Sequence, residues 1–431
     1  MLWTQIQEEP YRLFFPLGIL IAIVGVGHWP AYAFGWNAQY SSFFHSSIQT
    51  QVYMTCFIIG FLMTAMPKFA SAPHATQGEV LRFLGFILGN TIALSFGKWI
   101  AAEICFAGVL ISLLLFAKKR IAARTQSALP PLEFIWIPIA ILHGLTGTIL
   151  MILIQLKKAP QVWFQVAKLM SEQGFILCVV IGVGGFLAPR LMGTFRTYAK
   201  PGQLPQDPAL VKIRQMVLLG HVFAGGLFFA SFWIGMRHLD FSYFLRASII
   251  TGEYLWTCSY LIPPRSKDFY AKLIWISLWM VVLGSWSAAF FSSYRTAMLH
   301  LIFIGGFSLM IFSVATMVVL SHGGEPEKIR RPLAILWISG IGVAGSLACR
   351  IAASFAPEKY FLLLGIAGIL WTVTAGLWFF FVFPKIFKSM SSAELEQCHE
   401  DSKQRVISLR QTVLPVIPAQ GKCCDHKKTC E

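Results

Sequence analysis

Residues 300 to 322 read HLIFIGGFSLMIFSVATMVVLSH, an apolar run with a histidine at each end, His300 and His322, and Gly323-Gly324 behind it. A run of this length with no acidic or basic residue between its ends reads as one transmembrane helix. At ~1.5 Å per residue it spans ~33 Å against a hydrocarbon core of ~30 Å, so the two imidazoles are expected near opposite faces of the bilayer. They cannot then share a metal ion. At ~100° per residue the two ends return to within roughly 40° of each other, which lets both point into one side of a helical bundle. For either end taken alone, a histidine in the wet interfacial zone is the plainer account.

Outward from this stretch, the same pattern repeats. The 431 residues are 56% hydrophobic and only 13% charged, where an average soluble chain has about 25% charged residues. Twelve apolar segments are legible, at 13–34, 48–67, 81–97, 99–117, 133–155, 173–191, 213–236, 243–262, 272–294, 297–320, 332–354 and 360–384. The expected fold class is therefore all-α, a polytopic transmembrane helical bundle of about twelve spans. Residues 1–384 form its membrane domain and 385–431 a polar, Cys-containing tail with little expected order. The first span is long enough to stay in the mature protein as a membrane helix.

An even number of spans puts both termini on one side. Of the 35 Lys and Arg residues, all but Lys98, Lys157, Lys158, Lys168, Arg237, Arg246, Arg295, Arg350 and Lys359 fall on that side, which makes it cytoplasmic by the positive-inside rule. The net charge of +16 is thus accounted for by membrane orientation and the surrounding lipids, and nucleic acid is not an expected partner. Cys56, Cys105, Cys178, Cys258 and Cys349 lie within apolar segments as small core residues. Cys398, Cys423, Cys424 and Cys430, with His426 among them, lie in a tail expected to face the reducing cytoplasm. Free thiols or metal thiolates are more plausible there than disulfides.

Topology sorts the remaining histidines by depth. His28 near the end of the first span, His45 before the second and His300 opening the tenth share the outer level. Imidazoles from separate helices at one level are what a membrane haem or a copper ion needs. His143 and Glu253 fall near the midplane, where an ionisable group is costly and a function is suspected: a proton relay, or support of a cofactor through a pairing between the fifth and eighth spans. His221 and His322 are candidates for an inner pair.

Two stretches resemble the NnrS family of bacterial polytopic proteins. The tenth-span motif of that family is matched by His300, Gly305, His322 and Gly323. FFHSSIQTQVYMTCFIIGFLMTAMPKF, residues 43–69, is similar to its second span through His45, Gly60, Phe61, Leu62, Thr64, Ala65 and Pro67. Pro10, Arg12, Phe14 and Phe15 and the count of twelve spans add to this. Ser47 stands where the family commonly has a further histidine, and Met317 where it usually has an arginine. The resemblance covers the membrane domain and leaves the tail out. It implies a multi-pass protein of the bacterial inner membrane, containing haem and copper, that responds to nitric oxide, either protecting against nitrosative stress or supporting denitrification. Catalytic turnover of nitric oxide is one version of that role and protection without turnover another.

Combining the resemblance with depth, haem binding is expected at His300 with His45 or His28, and with His143 deeper. Metal binding is expected at His45, His300 and His322, with Glu253 and His143 as relay or supporting groups. Two rival readings are a proton-coupled secondary transporter, suggested by twelve spans with a midplane acid, and an accessory factor delivering metal or haem to a terminal reductase, suggested by the tail cysteines.

Overall fold

Inside a bilayer every backbone N–H and C=O must be satisfied within its own segment, so apolar runs joined by short loops fold as helices. The computed structural model describes residues 2–124, 130–194 and 208–388, together with residue 397. A short helix, Leu2–Glu8, leads into the bundle. The long helices are α1 (Tyr11–Ala33), α2 (Ser42–Ala70), α3 (Gln77–Ser95), α4 (Trp99–Ala122), α5 (Leu132–Gln155), α6 (Gln161–Met192), α7 (Val211–Ile234), α8 (Leu239–Thr257), α9 (Phe269–Phe290), α10 (Ser292–His322), α11 (Ala334–Ala353) and α12 (Pro357–Ile386). No strand occurs among the described residues. The opening stretch is one continuous rod, as its composition requires.

Eleven of these helices are long and apolar enough to cross a membrane. The exception is α8, which has 19 residues and a length of ~28 Å, but carries Asp240, Arg246 and Glu253. Its place in the bundle follows from where the first and last of these helices lie. Arg12, at the start of α1, donates from its guanidinium to the carbonyl oxygens of Ile386, Lys388 (2.7 Å) and His322 (3.4 Å). The first and last helices therefore meet at one end of the bundle, and a chain that returns to its starting end has traversed it an even number of times. Helix α8 is thus a traverse, placed four residues earlier than its apolar segment suggested. The end where Arg12 meets Ile386 is called the terminal end below, and the opposite one the far end.

Around the bundle α12 packs on α1 and α11, α1 on α2, α3 on α4, α4 on α5, and α9 on both α8 and α10. Three helices sit deepest: in α2, α6 and α10, 72%, 67% and 67% of the most apolar window is buried, against 28% in α7. These same three contain every π-helical segment among the described residues: Ile48–Met54 in α2, Met170–Gly174 and Val180–Gly184 in α6, and Leu301–Ser308 in α10. π-Turns are rare, widen the backbone, and recur at functional sites. They also correct the phase counted along the opening stretch, because i→i+5 winding turns the chain less per residue than an α-helix. The tail with Cys398, Cys423, Cys424, His426 and Cys430 lies outside the described residues.

Candidate functional site

At the far end the three π-containing helices part around a cavity of about 580 Å³, completed by α1, α8, α11 and α12. Its size is that of a site for a drug-sized ligand or cofactor. His45 and His300 both line it, as do Lys168, Glu172, Arg295, Arg350 and the aromatic rings of Trp29, Tyr53, Phe303 and Trp371.

Each histidine is oriented by backbone. Helix α2 starts on Ser41, whose side chain accepts from the Phe44 N–H at 3.1 Å, an ordinary N-cap. One turn on, the Nδ1 of His45 lies 3.0 Å from the carbonyl oxygen of Gly25 in α1. Gly25 is required for this approach: a Cβ there would lie 2.4 Å from Ile48 Cγ2 and 2.5 Å from Gln49 Nε2. The Nδ1 of His300 lies 2.7 Å from the carbonyl oxygen of Thr296, one turn back in α10. A carbonyl only accepts, so in both rings Nδ1 carries the proton and Nε2 presents a lone pair. This is the arrangement by which proteins prepare a histidine to ligate a metal through Nε2.

His28 differs from these two. Its Nε2 accepts the backbone N–H of Ser41 at 3.3 Å, and its ring lies nearly parallel to that of His45, with centroids 6.4 Å apart and planes at 13°. It braces His45 and the start of α2, and its Nε2 is committed to backbone.

The charges in the cavity are unequally compensated. Lys168 is paired with Glu172 at 2.5 Å, and Ser46 donates to the same carboxylate at 2.8 Å. Arg295 is paired with Asp240. Arg350 is 7% exposed and, among the described residues, has no carboxylate partner; its one side-chain bond is to Ser354 Oγ at 3.4 Å. A buried cation without a counter-ion favours an anionic group in its neighbourhood.

The deeper candidates are placed otherwise than the sequence suggested. His143 is fully buried in α5, its Nδ1 on the Ile139 carbonyl at 2.8 Å and its ring among Phe228, Phe229 and Phe232, with centroids 5.0–5.6 Å away. Its Nε2 has no partner among the described residues. It lies outside the lining of the far-end cavity, and it does not pair with Glu253. That carboxylate instead binds His221 Nδ1 at 2.7 Å and accepts from Trp136 Nε1 at 3.3 Å. The expected inner pair of His221 and His322 is likewise not formed. His322 is at the terminal end, bonded to Glu9 beside Arg12 and Lys68, which pair with the same carboxylate. Two cations next to an imidazole suit an ion-pair knot and not a metal. Among the described residues no three His, Cys, Asp or Glu side chains gather into a metal-holding group, so these residues do not fit a three-ligand copper site. A haem, which needs only one or two imidazoles with room for a macrocycle and counter-charges for its carboxylates, does fit His45, His300 and the walls around them.

Four buried carboxyls, Glu9, Glu79, Glu103 and Glu172, escape sorting by depth. Each lies near the start of its apolar segment, where a sequence reads as interfacial; only the neighbouring helices bury them.

A family model described as NnrS protein matches residues 5–389 of the chain. No curated protein matches it.

Proposed function

The chain belongs to the NnrS family, and we propose that it is a haem-binding protein of the bacterial inner membrane whose far-end cavity handles nitric oxide, in protection against nitrosative stress or in support of denitrification. The observation that carries this reading is the pair His45 and His300. They come from helices distant in sequence, both face one cavity, and both have Nδ1–H tied to a backbone carbonyl with Nε2 left to ligate. Haem held there supplies an iron that coordinates nitric oxide.

The protein's own residues do the rest. Gly25 and Thr296 hold the two rings in the ligating tautomer, and His28 keeps the first of them from swinging. Arg350 would hold a carboxylate of the macrocycle, while Trp29, Phe303 and Trp371 would provide apolar faces. Copper is not part of this proposal, since the described residues offer no three-ligand group. The positive-inside count supports a cytoplasmic terminal end and a cavity at the periplasmic face.

An optical spectrum of the purified protein tests the reading directly. A Soret band that shifts when the reduced protein meets nitric oxide is expected, and it should be lost in His300→Ala. Protein purified with haem supplied during expression but lacking a Soret band would overturn the proposal.

A further inference from the structure

Glu103 is the most enclosed acid in the bundle whose partners are all neutral. Its Oε1 accepts from Gln51 Nε2 of α2 at 3.0 Å and its Oε2 from Thr148 Oγ1 of α5 at 3.0 Å. Asn90 of α3 supports the amide of Gln51 at 3.4 Å. Four helices thus converge on one carboxyl, and none brings a cation into contact with it. The charged groups that act on it from further away are Glu172 and Lys168 of α6, which are paired with each other. Burying a carboxylate with no counter-ion is costly, whereas a neutral carboxyl in the same bonds is not.

The network adjoins the cavity. Ser46, which binds Glu172 on the cavity wall, is followed in α2 by Ser47, and Gln51 lies one turn further on. Thr50, the residue before Gln51, lines the cavity itself. On the other side of the network α5 and α6 run in backbone contact: a Cβ on Gly147 would lie 2.5 Å from both the Ala167 carbonyl oxygen and the Ser171 amide nitrogen. This brings Thr148 alongside the turn that carries Glu172. The π-segments Ile48–Met54 and Met170–Gly174 are where α2 and α6 meet here.

We propose that Glu103 is a proton-binding site beside the far-end cavity, holding its proton in this network and giving it up to water. In the step, the O–H bond of the Glu103 carboxyl breaks and the proton passes to a water molecule, leaving a carboxylate that keeps its bonds from Gln51 Nε2 and Thr148 Oγ1. Charge is conserved throughout, and the step calls for no oxidant or reductant. The inference stands whether or not the cavity holds haem.

Infrared difference spectroscopy of the purified full-length protein, taken between about pH 5 and about pH 9 in H2O and D2O, tests it. The expected result is a protonated-carboxyl band that is lost as pH rises and shifts in D2O. It should be missing in Glu103→Gln and displaced in Glu103→Asp, so that one variant suffices if the other fails to fold. A band that survives in Glu103→Gln, or one that keeps the same intensity across the whole pH range, overturns the site. Absence of a Soret band with the Glu103 titration intact would sink the haem reading and leave this one standing.

Discussion

At the scale of single residues, His45 and His300 stand apart from the other described histidines in lining one cavity with Nδ1 tied to a backbone carbonyl. His45→Ala and His300→Ala are each expected to remove a ligand nitrogen and with it most of the haem, read from the ratio of Soret to protein absorbance. His28→Ala should keep haem but bind it about tenfold more weakly, the usual cost of losing a group that orients a ligand. Equal haem content in all three variants and the parent would place the cofactor elsewhere. Arg350→Gln should likewise reduce retention without abolishing it, since His45 and His300 remain.

Glu9 is the residue to which acid stability is attached. Burial alone would raise its carboxyl, but the bond to His322 and the charges of His322, Arg12 and Lys68 outweigh this and hold it well below the ordinary range. A carboxyl with a lowered value in the folded state contributes stability that is complete above the unfolded value of about 4.3 and is lost as pH falls toward the folded one. Thermal midpoints of the parent should therefore drop as pH falls below about 4.5. In Glu9→Gln the midpoint should already be low near neutrality, with a flatter acid limb.

Among the elements, α1, α2, α10 and α12 are joined by this knot, in which Arg12 alone reaches three backbone carbonyls. Removing one member of a buried charged group leaves the others uncompensated and costs about 3–5 kcal/mol. Arg12→Ala should destabilise the detergent-purified protein by that order, while leaving the far-end spectrum unchanged in whatever fraction stays folded. A loss of haem without loss of stability would mean that the two ends are coupled in some way that packing does not explain. The helix contact at Gly25 makes the opposite prediction. A leucine there collides with Ile48 and Gln49 and pushes α2, with His45, away from the residue 25 carbonyl, so Gly25→Leu should impair the cavity more than the terminal end. The sequence marked α2 and α10 as the helices of interest through their histidines, but it carried no sign of the π-segments that widen them. Such a segment depends on what packs against the turn, and composition does not record that.

For the whole molecule, α12 returns to the start of α1, and the distribution of basic residues predicts that this end faces the cytoplasm. With the terminal end cytoplasmic, a membrane-impermeant maleimide should label Lys158→Cys in intact cells, since that residue lies in the far-end loop between α5 and α6. Glu327→Cys, in the terminal-end loop after α10, should be labelled only after lysis. The reverse pattern would invert the protein and move the cavity to the cytoplasmic face.

The all-helical bundle and its long membrane-length helices were legible from hydropathy, because an apolar run of about twenty residues satisfies its backbone inside a bilayer as a helix and the bilayer imposes one length on all of them. That His45 and His300 lie at one level was legible for the same reason. Depth is a one-dimensional coordinate and says nothing of which helices are neighbours. Only the tertiary structure gave Glu253 to His221, set His143 apart among phenylalanines, committed His322 to Glu9, and closed four helices around Glu103. Those pairings depend on lateral packing in the membrane plane, where shape and small residues such as Gly25 and Gly147 decide which helices touch, and the order of residues along the chain does not encode it locally.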